Sequence, residues 1–121
     1  MNVMIVDSKD EDIKRTAETV QSVYLECNIV VAYKGFEALK FAETGVIDLA
    51  IVEIKLANSE NGYRVIRAIK DASQHTRVVI YTSSVFCIDN YLGTRMGAEK
   101  IFVKSYENYN GNDNKRRKKN S

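Results

Sequence analysis

The chain has 121 residues, of which 45% are hydrophobic and 28% are charged, and its formal net charge is +2. These values predict one globular domain of ordinary composition. The sequence excludes a membrane-spanning helix, because no stretch approaches the roughly 20 apolar residues that such a helix requires.

The first element in chain order is an apolar run, residues 3–6, which predicts a strand. It is followed by a segment of helical periodicity, residues 10–26, in which apolar side chains recur every three or four positions and trace one face. Acidic residues fill the first turn of this segment, where the helix dipole favours negative charge. The chain is therefore predicted to begin with a strand and then a helix.

The same alternation continues along the chain. Apolar, β-branched runs predict further strands at residues 28–32, 49–54, 78–82 and 101–103, and periodic segments predict helices at residues 35–44, from Asn61 onward, and at residues 86–96. Each strand run is continuous rather than alternating, which is typical of strands covered on both faces. Strands that alternate with helices at this spacing imply right-handed crossovers. We therefore predict an α/β fold with a doubly wound, five-stranded parallel sheet.

Polar side chains follow four of the five predicted strands. They are Asp7 and Ser8 after the first, Glu53 after the third, Thr82 after the fourth and Lys104 after the fifth. In a doubly wound sheet the functional crevice lies beyond the carboxyl ends of the strands, so these side chains should converge. Exposed strand ends are often polar without a function, but two carboxylates, a hydroxyl and an ammonium together favour a site.

The motifs around these residues resemble the response-regulator receiver domain, the phosphorylatable module of two-component signalling. "NVMIVDS" resembles the family's first strand with its acidic pair, "AYKGFEAL" its A-x-x-G-x-x-A-L pattern, and "DLAIVEI" the strand that carries the phospho-accepting aspartate. "VVIYTSS" and "GAEKIFVKS" resemble the strands that end in Thr/Ser and in Lys. The resemblance covers residues 1–104 and implies a flavodoxin-like sheet with strand order 2-1-3-4-5.

The resemblance also implies roles for the strand-end residues. In the family an acidic pair and the acceptor aspartate hold Mg²⁺, while the Thr hydroxyl and the Lys ammonium contact the phosphoryl oxygens. Glu53 stands at the acceptor position, Thr82 and Lys104 at the phosphate-contact positions, and Asp7 and Ser8 at the acidic pair.

This sequence departs from the family pattern at the metal ligands. Ser8 replaces the second acid of the pair, and Glu53 replaces the acceptor aspartate. Asp7 and Glu53 are then the remaining side-chain metal ligands, and Lys104 opposes a divalent cation. Lys55 is a candidate second cation of the pocket. We expect that no cofactor is required and that Mg²⁺ binds weakly if at all.

Three interpretations of Glu53 remain open at this point. Its extra methylene could place a carboxylate where the phosphoryl oxygens would lie and hold an active-like state, although it brings less charge than a phosphoryl group. It could instead form a plain ion pair with Lys104 in an inactive pocket. It could also accept a phosphoryl group inefficiently, as a weak phosphorelay receiver.

The chain after Lys104 shows no apolar periodicity, so the fifth helix of the family is predicted to be short or missing. We divide the chain into a receiver-like domain, residues 1–106, and a basic tail, residues 107–121. An apolar strip left uncovered on the sheet would have to be buried, either by one turn near residues 105–109 or by a second copy of the chain. We expect a homodimer through the surface near the fifth strand and the fourth helix.

The tail carries five consecutive cations, Lys115, Arg116, Arg117, Lys118 and Lys119. Such a run is usually a solvated, disordered end, and the functional alternative is a contact with nucleic acid, acidic lipid or an acidic partner. If it binds nucleic acid, binding should lack sequence preference and weaken steeply with salt.

The remaining features of the sequence indicate the cellular compartment and the functional class of the protein. Two cysteines, Cys27 and Cys87, without a secretory signal indicate a reducing cytoplasm. A phosphate-binding glycine loop and a nucleophile elbow are both missing, which argues against a nucleotide-binding or hydrolytic enzyme. We expect a signalling module that is not an enzyme and that acts through contacts with a histidine kinase or an output protein. The alternatives are a weakly phosphorylated receiver and a nucleic-acid-associated protein that uses the tail.

Overall fold

A computed structural model describes residues 1–83 and 95–105 of the chain. Its strands are β1 Asn2–Val6, β2 Asn28–Ala32, β3 Leu49–Val52, β4 Arg77–Thr82 and β5 Lys100–Val103. Its helices, numbered within these residues, are α1 Asp10–Val23, α2 Gly35–Glu43 and α3 Gly62–Ala72, and a 3₁₀ turn at Ala57–Ser59 precedes α3.

The five strands form one parallel sheet in the order β2-β1-β3-β4-β5. The predicted doubly wound α/β fold and its strand order are therefore confirmed. The chain moves from β1 outward to β2 and then crosses to β3 on the other side of β1. This reversal of direction places the carboxyl ends of β1 and β3 at the crevice where such sheets hold their functional sites.

Three predicted elements end earlier in the structure than predicted, α2 by a single residue, at Glu43. The predicted third strand runs to residue 54, whereas β3 ends at Val52, because the next residues turn so that their N–H groups face the Glu53 carboxylate. The first helix is predicted to run to residue 26, whereas α1 ends at Val23 and Tyr24 is extended and exposed.

Several predictions fall outside the described residues. Most of the predicted fourth helix lies there, although Arg95 and Met96 are helical. The expected short or missing fifth helix, the basic tail and its boundary at residue 107 also lie outside the described part. No helix in the part that is described is long and apolar enough to span a membrane.

A hydrophobic core lies between the sheet and the helices α2 and α3. Alternate strand residues, such as Met4, Val52 and Ile80, pack there with Ile66 and Ile69 of α3. Each of these residues is completely buried, and burying one such side chain contributes roughly 1.5–3 kcal/mol relative to leaving it exposed. This core fixes the positions of β3 and β4, whose carboxyl ends carry Glu53 and Thr82.

Gly62 allows α3 to begin directly against the end of β3. A Cβ atom at this residue would collide with the backbone carbonyl oxygen of Glu53 and with Cα of Ile54. The Gly62 N–H donates to the carbonyl oxygen of Ile54 at 2.7 Å, and the Asn61 side chain caps the helix by accepting from the N–H of Tyr63 at 2.8 Å. The start of α3 therefore holds the backbone of Glu53 in place.

Candidate functional site

Glu53 lies immediately after β3 with its side chain turned into the protein. Its backbone N–H donates to the carbonyl oxygen of Val6 at 2.9 Å, which ties it to the end of β1. Only 3% of the residue is exposed. A buried carboxylate is costly unless it is paired and hydrogen-bonded, so the partners of its two oxygens determine what the site can do.

Both oxygens of the Glu53 carboxylate accept hydrogen bonds. Oε2 accepts from the backbone N–H groups of Ile54 at 2.7 Å and Lys55 at 3.2 Å, and from the hydroxyl of Thr82. Oε1 accepts from the N–H of Ser83 at 3.0 Å, from the hydroxyl of Ser83 at 3.1 Å and from Nζ of Lys104 at 3.1 Å. Donors from three strand ends therefore surround this carboxylate.

The ammonium of Lys104 joins Glu53 to two further carboxylates. Its Nζ donates to Oδ2 of Asp7 at 2.6 Å and to Oδ2 of Asp12 at 3.1 Å, besides Oε1 of Glu53. The Lys104 side chain is 3% exposed, and its Nζ lies 5.6 Å from the centre of the Tyr81 ring. We call Asp7, Asp12, Glu53 and Lys104 the carboxylate–lysine cluster.

The cluster shifts the pKa values of two of its members. Burial raises the pKa of the Glu53 carboxyl, but the hydrogen bond from Thr82 and the charge of Lys104 outweigh it, and the net pKa lies below the usual value. Burial lowers the pKa of the Lys104 ammonium, but its hydrogen bond to Asp7 and the charges of Asp7 and Glu53 raise it above the usual value. Both groups are therefore charged at neutral pH.

The structure brings together four of the residues that the sequence singled out at the strand ends. Asp7, Glu53, Thr82 and Lys104 are in direct contact, as shown above. The hydroxyl of Ser8 has a different partner and accepts from the N–H of Ala57 at 3.1 Å. Ser8 therefore ties the end of β1 to the 3₁₀ turn.

Lys55, which the sequence suggested as a second cation of the pocket, lies at the surface. Its side chain is exposed, and among the described residues it makes no ion pair with Glu53. Only its backbone N–H reaches the carboxylate. The isolated bridge between Lys55 and Asn61 holds the start of the loop against α3, and this directs the side chain to solvent, so Lys104 is the cation that pairs with Glu53.

Sequence reasoning missed Asp12 and Ser83. The acidic first turn of α1 had been assigned as a whole to the helix dipole, yet Asp12 is buried. It lies four residues before Thr16 and eight before Val20, which are both buried on the same helix, and this spacing could have placed it on the inner face. Ser83 is simply the residue after Thr82, and nothing in the pattern distinguished it.

Comparisons with known proteins agree with this fold. Residues 3–110 match the sequence profile of the response regulator receiver domain. The transcriptional regulatory protein DltR of Streptococcus agalactiae is 26% identical over 99 residues, which are 80% of this chain and 44% of DltR. This chain therefore spans less than half the length of that relative.

Two solved structures share the fold at low sequence identity. The signal receiver domain of a DNA-binding response regulator from Colwellia psychrerythraea 34H has a TM-score of 0.75 and 19% identity, over 86% of this chain and 85% of the other. A response regulator from Burkholderia pseudomallei, solved with a phosphorylated aspartic acid, calcium ion and citrate, has a TM-score of 0.72 and 20% identity, over 85% of this chain and 59% of the other.

Proposed function

The chain belongs to the response regulator receiver domain family, and from this premise we propose that it is a receiver whose acceptor position is held by Glu53. Receiver domains are signalling modules rather than enzymes in the usual sense. In this proposal the chain signals through contacts with a histidine kinase or an output protein, in the cytoplasm, and without conventional phosphorylation.

The observation that supports this proposal is that Glu53 contacts both Thr82 and Lys104. In the family these positions contact the oxygens of the phosphoryl group. A phosphoryl group carries about −1.5 to −2 charges and three acceptor oxygens, whereas Glu53 supplies one charge and two oxygens. Glu53 therefore imitates part of the phosphorylated state, with Ser83 and two backbone N–H groups as additional donors.

The same contacts oppose phosphorylation of Glu53. To accept a phosphoryl group, a carboxylate oxygen must form a bond to phosphorus while the bond from phosphorus to the leaving group breaks opposite it. Both oxygens of Glu53 already accept hydrogen bonds, and the residue is buried. A donor molecule would have to displace Thr82, Ser83 or Lys104 before it could approach.

Acetyl phosphate provides the test. We expect no phosphoryl adduct in the intact mass of the wild-type chain after incubation with acetyl phosphate and Mg²⁺, with Glu53→Gln as the matched control. An adduct on the wild type that is lost in Glu53→Gln would contradict the proposal. A parallel sample of Glu53→Asp shows which residues prevent phosphorylation. An adduct on this variant would mean that the glutamate side chain prevents it. If Glu53→Asp also gave no adduct, Ser8 and Lys104 would be the residues that prevent phosphorylation.

For the edge of the sheet we propose a second copy of the chain as the partner. β5 is an end strand of the sheet, and it exposes Phe102 by 50% and Val103 by 43%. Two copies related by a two-fold axis could bury these side chains against each other. This is the dimer expected near the fifth strand; most of the predicted fourth helix lies outside the described residues.

Sedimentation measures this association. We expect a dimer at tens of micromolar for the wild type, and a monomer for Phe102→Glu, because a buried charge at the interface is unfavourable. Phe36→Glu is the control, since Phe36 is 65% exposed on α2. A wild type that sediments as a monomer would rule out this partner. The nucleic-acid alternative has no comparable support, since the tail lies outside the described residues.

A further inference from the structure

The oxygens expected to bind a metal ion in this family face an ammonium in this chain. Asp7 and Glu53 are the two side-chain ligands that the family pattern would supply, and one oxygen of each binds Nζ of Lys104. Asp12 of α1 adds a third oxygen to the same atom. The described residues contain no group of three or more His, Cys, Asp or Glu arranged to hold a metal ion.

We propose that the ammonium of Lys104 is the resident cation of this pocket, that Asp12 is the positioning residue that retains it there, and that the pocket consequently excludes divalent metal ions. The inference rests on the proposed function, since it states how the Glu53 pocket stays closed without a metal. It goes further because it assigns a role to Asp12, which has no counterpart in the family pattern described above.

The hydrogen bonds of Nζ support this assignment. A lysine ammonium has three N–H donors, and the structure pairs it with three carboxylates at 2.6, 3.1 and 3.1 Å. A donor is thus available for each carboxylate. A divalent ion that entered the pocket would take oxygens from the ammonium and leave it buried beside a second positive charge, which is electrostatically unfavourable.

Asp12 adds a third carboxylate, from α1, to the contacts that Asp7 and Glu53 make with the ammonium. It lies on the buried face of α1, and its side chain is 7% exposed. The guanidinium of Arg15 is 3.7 Å away on the outer side, whereas Lys104 approaches from the sheet. A carboxylate in such a position favours a cation next to it, and it adds an anchor on α1 to those on β1 and β3.

The coordination chemistry of the two ions predicts which one would bind better if the ammonium were removed. Two of the three oxygens lie 3.1 Å from Nζ, beyond the 2.0–2.1 Å of Mg²⁺ and the 2.3–2.6 Å of Ca²⁺, so their side chains would have to move inward to bind either ion. Ca²⁺ tolerates irregular geometry, while Mg²⁺ demands an octahedron. We therefore expect Ca²⁺ to bind better than Mg²⁺ when the lysine is replaced.

The experiment is a titration with Ca²⁺ and with Mg²⁺ in the absence of a phosphoryl donor. Binding is monitored through the backbone amide NMR signals of Ile54 and Ser83. In the wild type neither ion should move these signals at millimolar concentration. In Lys104→Met, Ca²⁺ should bind at least about tenfold more tightly than in the wild type. Lys104→Met with Asp12→Asn should lose most of this gain, and Lys100→Met should behave as the wild type.

Two results would overturn the proposal: binding of either ion to the wild type as tight as to Lys104→Met, or a gain that does not depend on Asp12. If Lys104→Met is unfolded by itself, Ca²⁺ should restore its folded spectrum, because a ligand that binds only the folded state stabilises it. Failure to restore it would equally count against the proposal. Phosphorylation of Glu53 is measured separately by mass, so either proposal can fail without the other.

Discussion

Replacement of Lys104 with methionine should lower the free energy of unfolding at neutral pH by about 3–5 kcal/mol, the usual loss when one partner of a buried ion pair is removed. Methionine keeps the unbranched shape of the side chain up to Cε and removes the charged Nζ. Asp7, Asp12 and Glu53 would then remain buried close together without the cation that all three share. Urea denaturation measures the change.

Lys100→Met is the matched control for this loss. Lys100 is the first residue of β5, the strand that Lys104 follows, but it is exposed, so its replacement should change the free energy of unfolding by no more than about 0.5 kcal/mol. The raised pKa of Lys104 means that its contribution is fully present below the unfolded pKa of about 10.4 and is lost only as the pH rises through the folded pKa. Equal losses of unfolding free energy in Lys104→Met and Lys100→Met would contradict the stabilising role of the carboxylate–lysine cluster.

Glu53→Gln should lower the free energy of unfolding by about 3 kcal/mol at neutral pH. Glutamine has nearly the same shape, but one of its two terminal atoms is an NH₂ group that cannot accept a hydrogen bond. Either the donors at Oε2, which include Thr82, or the donors at Oε1, which include Ser83 and Lys104, would face another donor. The Lys104 ammonium would also lose one of its charged partners.

The loss in Glu53→Gln should depend on pH in a definite direction. The folded pKa of Glu53 lies below its ordinary value of 4.5, so the stabilisation from this carboxylate is fully present above the unfolded pKa and is lost as the pH falls through the folded pKa. The difference between wild type and variant should thus be largest near neutral pH and smaller in acid. Glu43→Gln, at an exposed position of α2, is the matched control and should change the free energy of unfolding by no more than about 0.5 kcal/mol at neutral pH. A difference between wild type and Glu53→Gln that stays constant in acid would contradict the lowered pKa of Glu53.

The sheet could be predicted from the sequence because its signals are local. Continuous β-branched runs mark strands covered on both faces, and the spacing between them leaves room for crossover helices. The meeting of Glu53, Thr82 and Lys104 follows from the rule that parallel strands present their carboxyl ends at one edge. The same rule cannot say which atoms bind, and Ser8 illustrates this, since it follows β1 yet turns to the backbone of Ala57.

The residues that sequence reasoning placed wrongly or missed depend on contacts made by more than one element. Lys55 is two residues from Glu53. In the turn after β3, however, only the backbone N–H of Lys55 contacts the Glu53 carboxylate, and the side chain of Lys55 is exposed to solvent. Asp12 sits among acids that all suit a helix N-terminus, and its pairing with Lys104 across 92 residues is visible only when α1 has been packed on the sheet.

The central claim is that Lys104 is a buried, charged ammonium shared by Asp7, Asp12 and Glu53. Heteronuclear NMR of the lysine ammonium groups of the wild-type chain tests it most directly. We predict one ammonium signal that exchanges slowly with water at neutral pH, that disappears in Lys104→Met and that does not change when Mg²⁺ is added. If the ammonium of Lys104 exchanged as fast as those of exposed lysines, or if Mg²⁺ displaced it, the pocket would not be closed by this cluster.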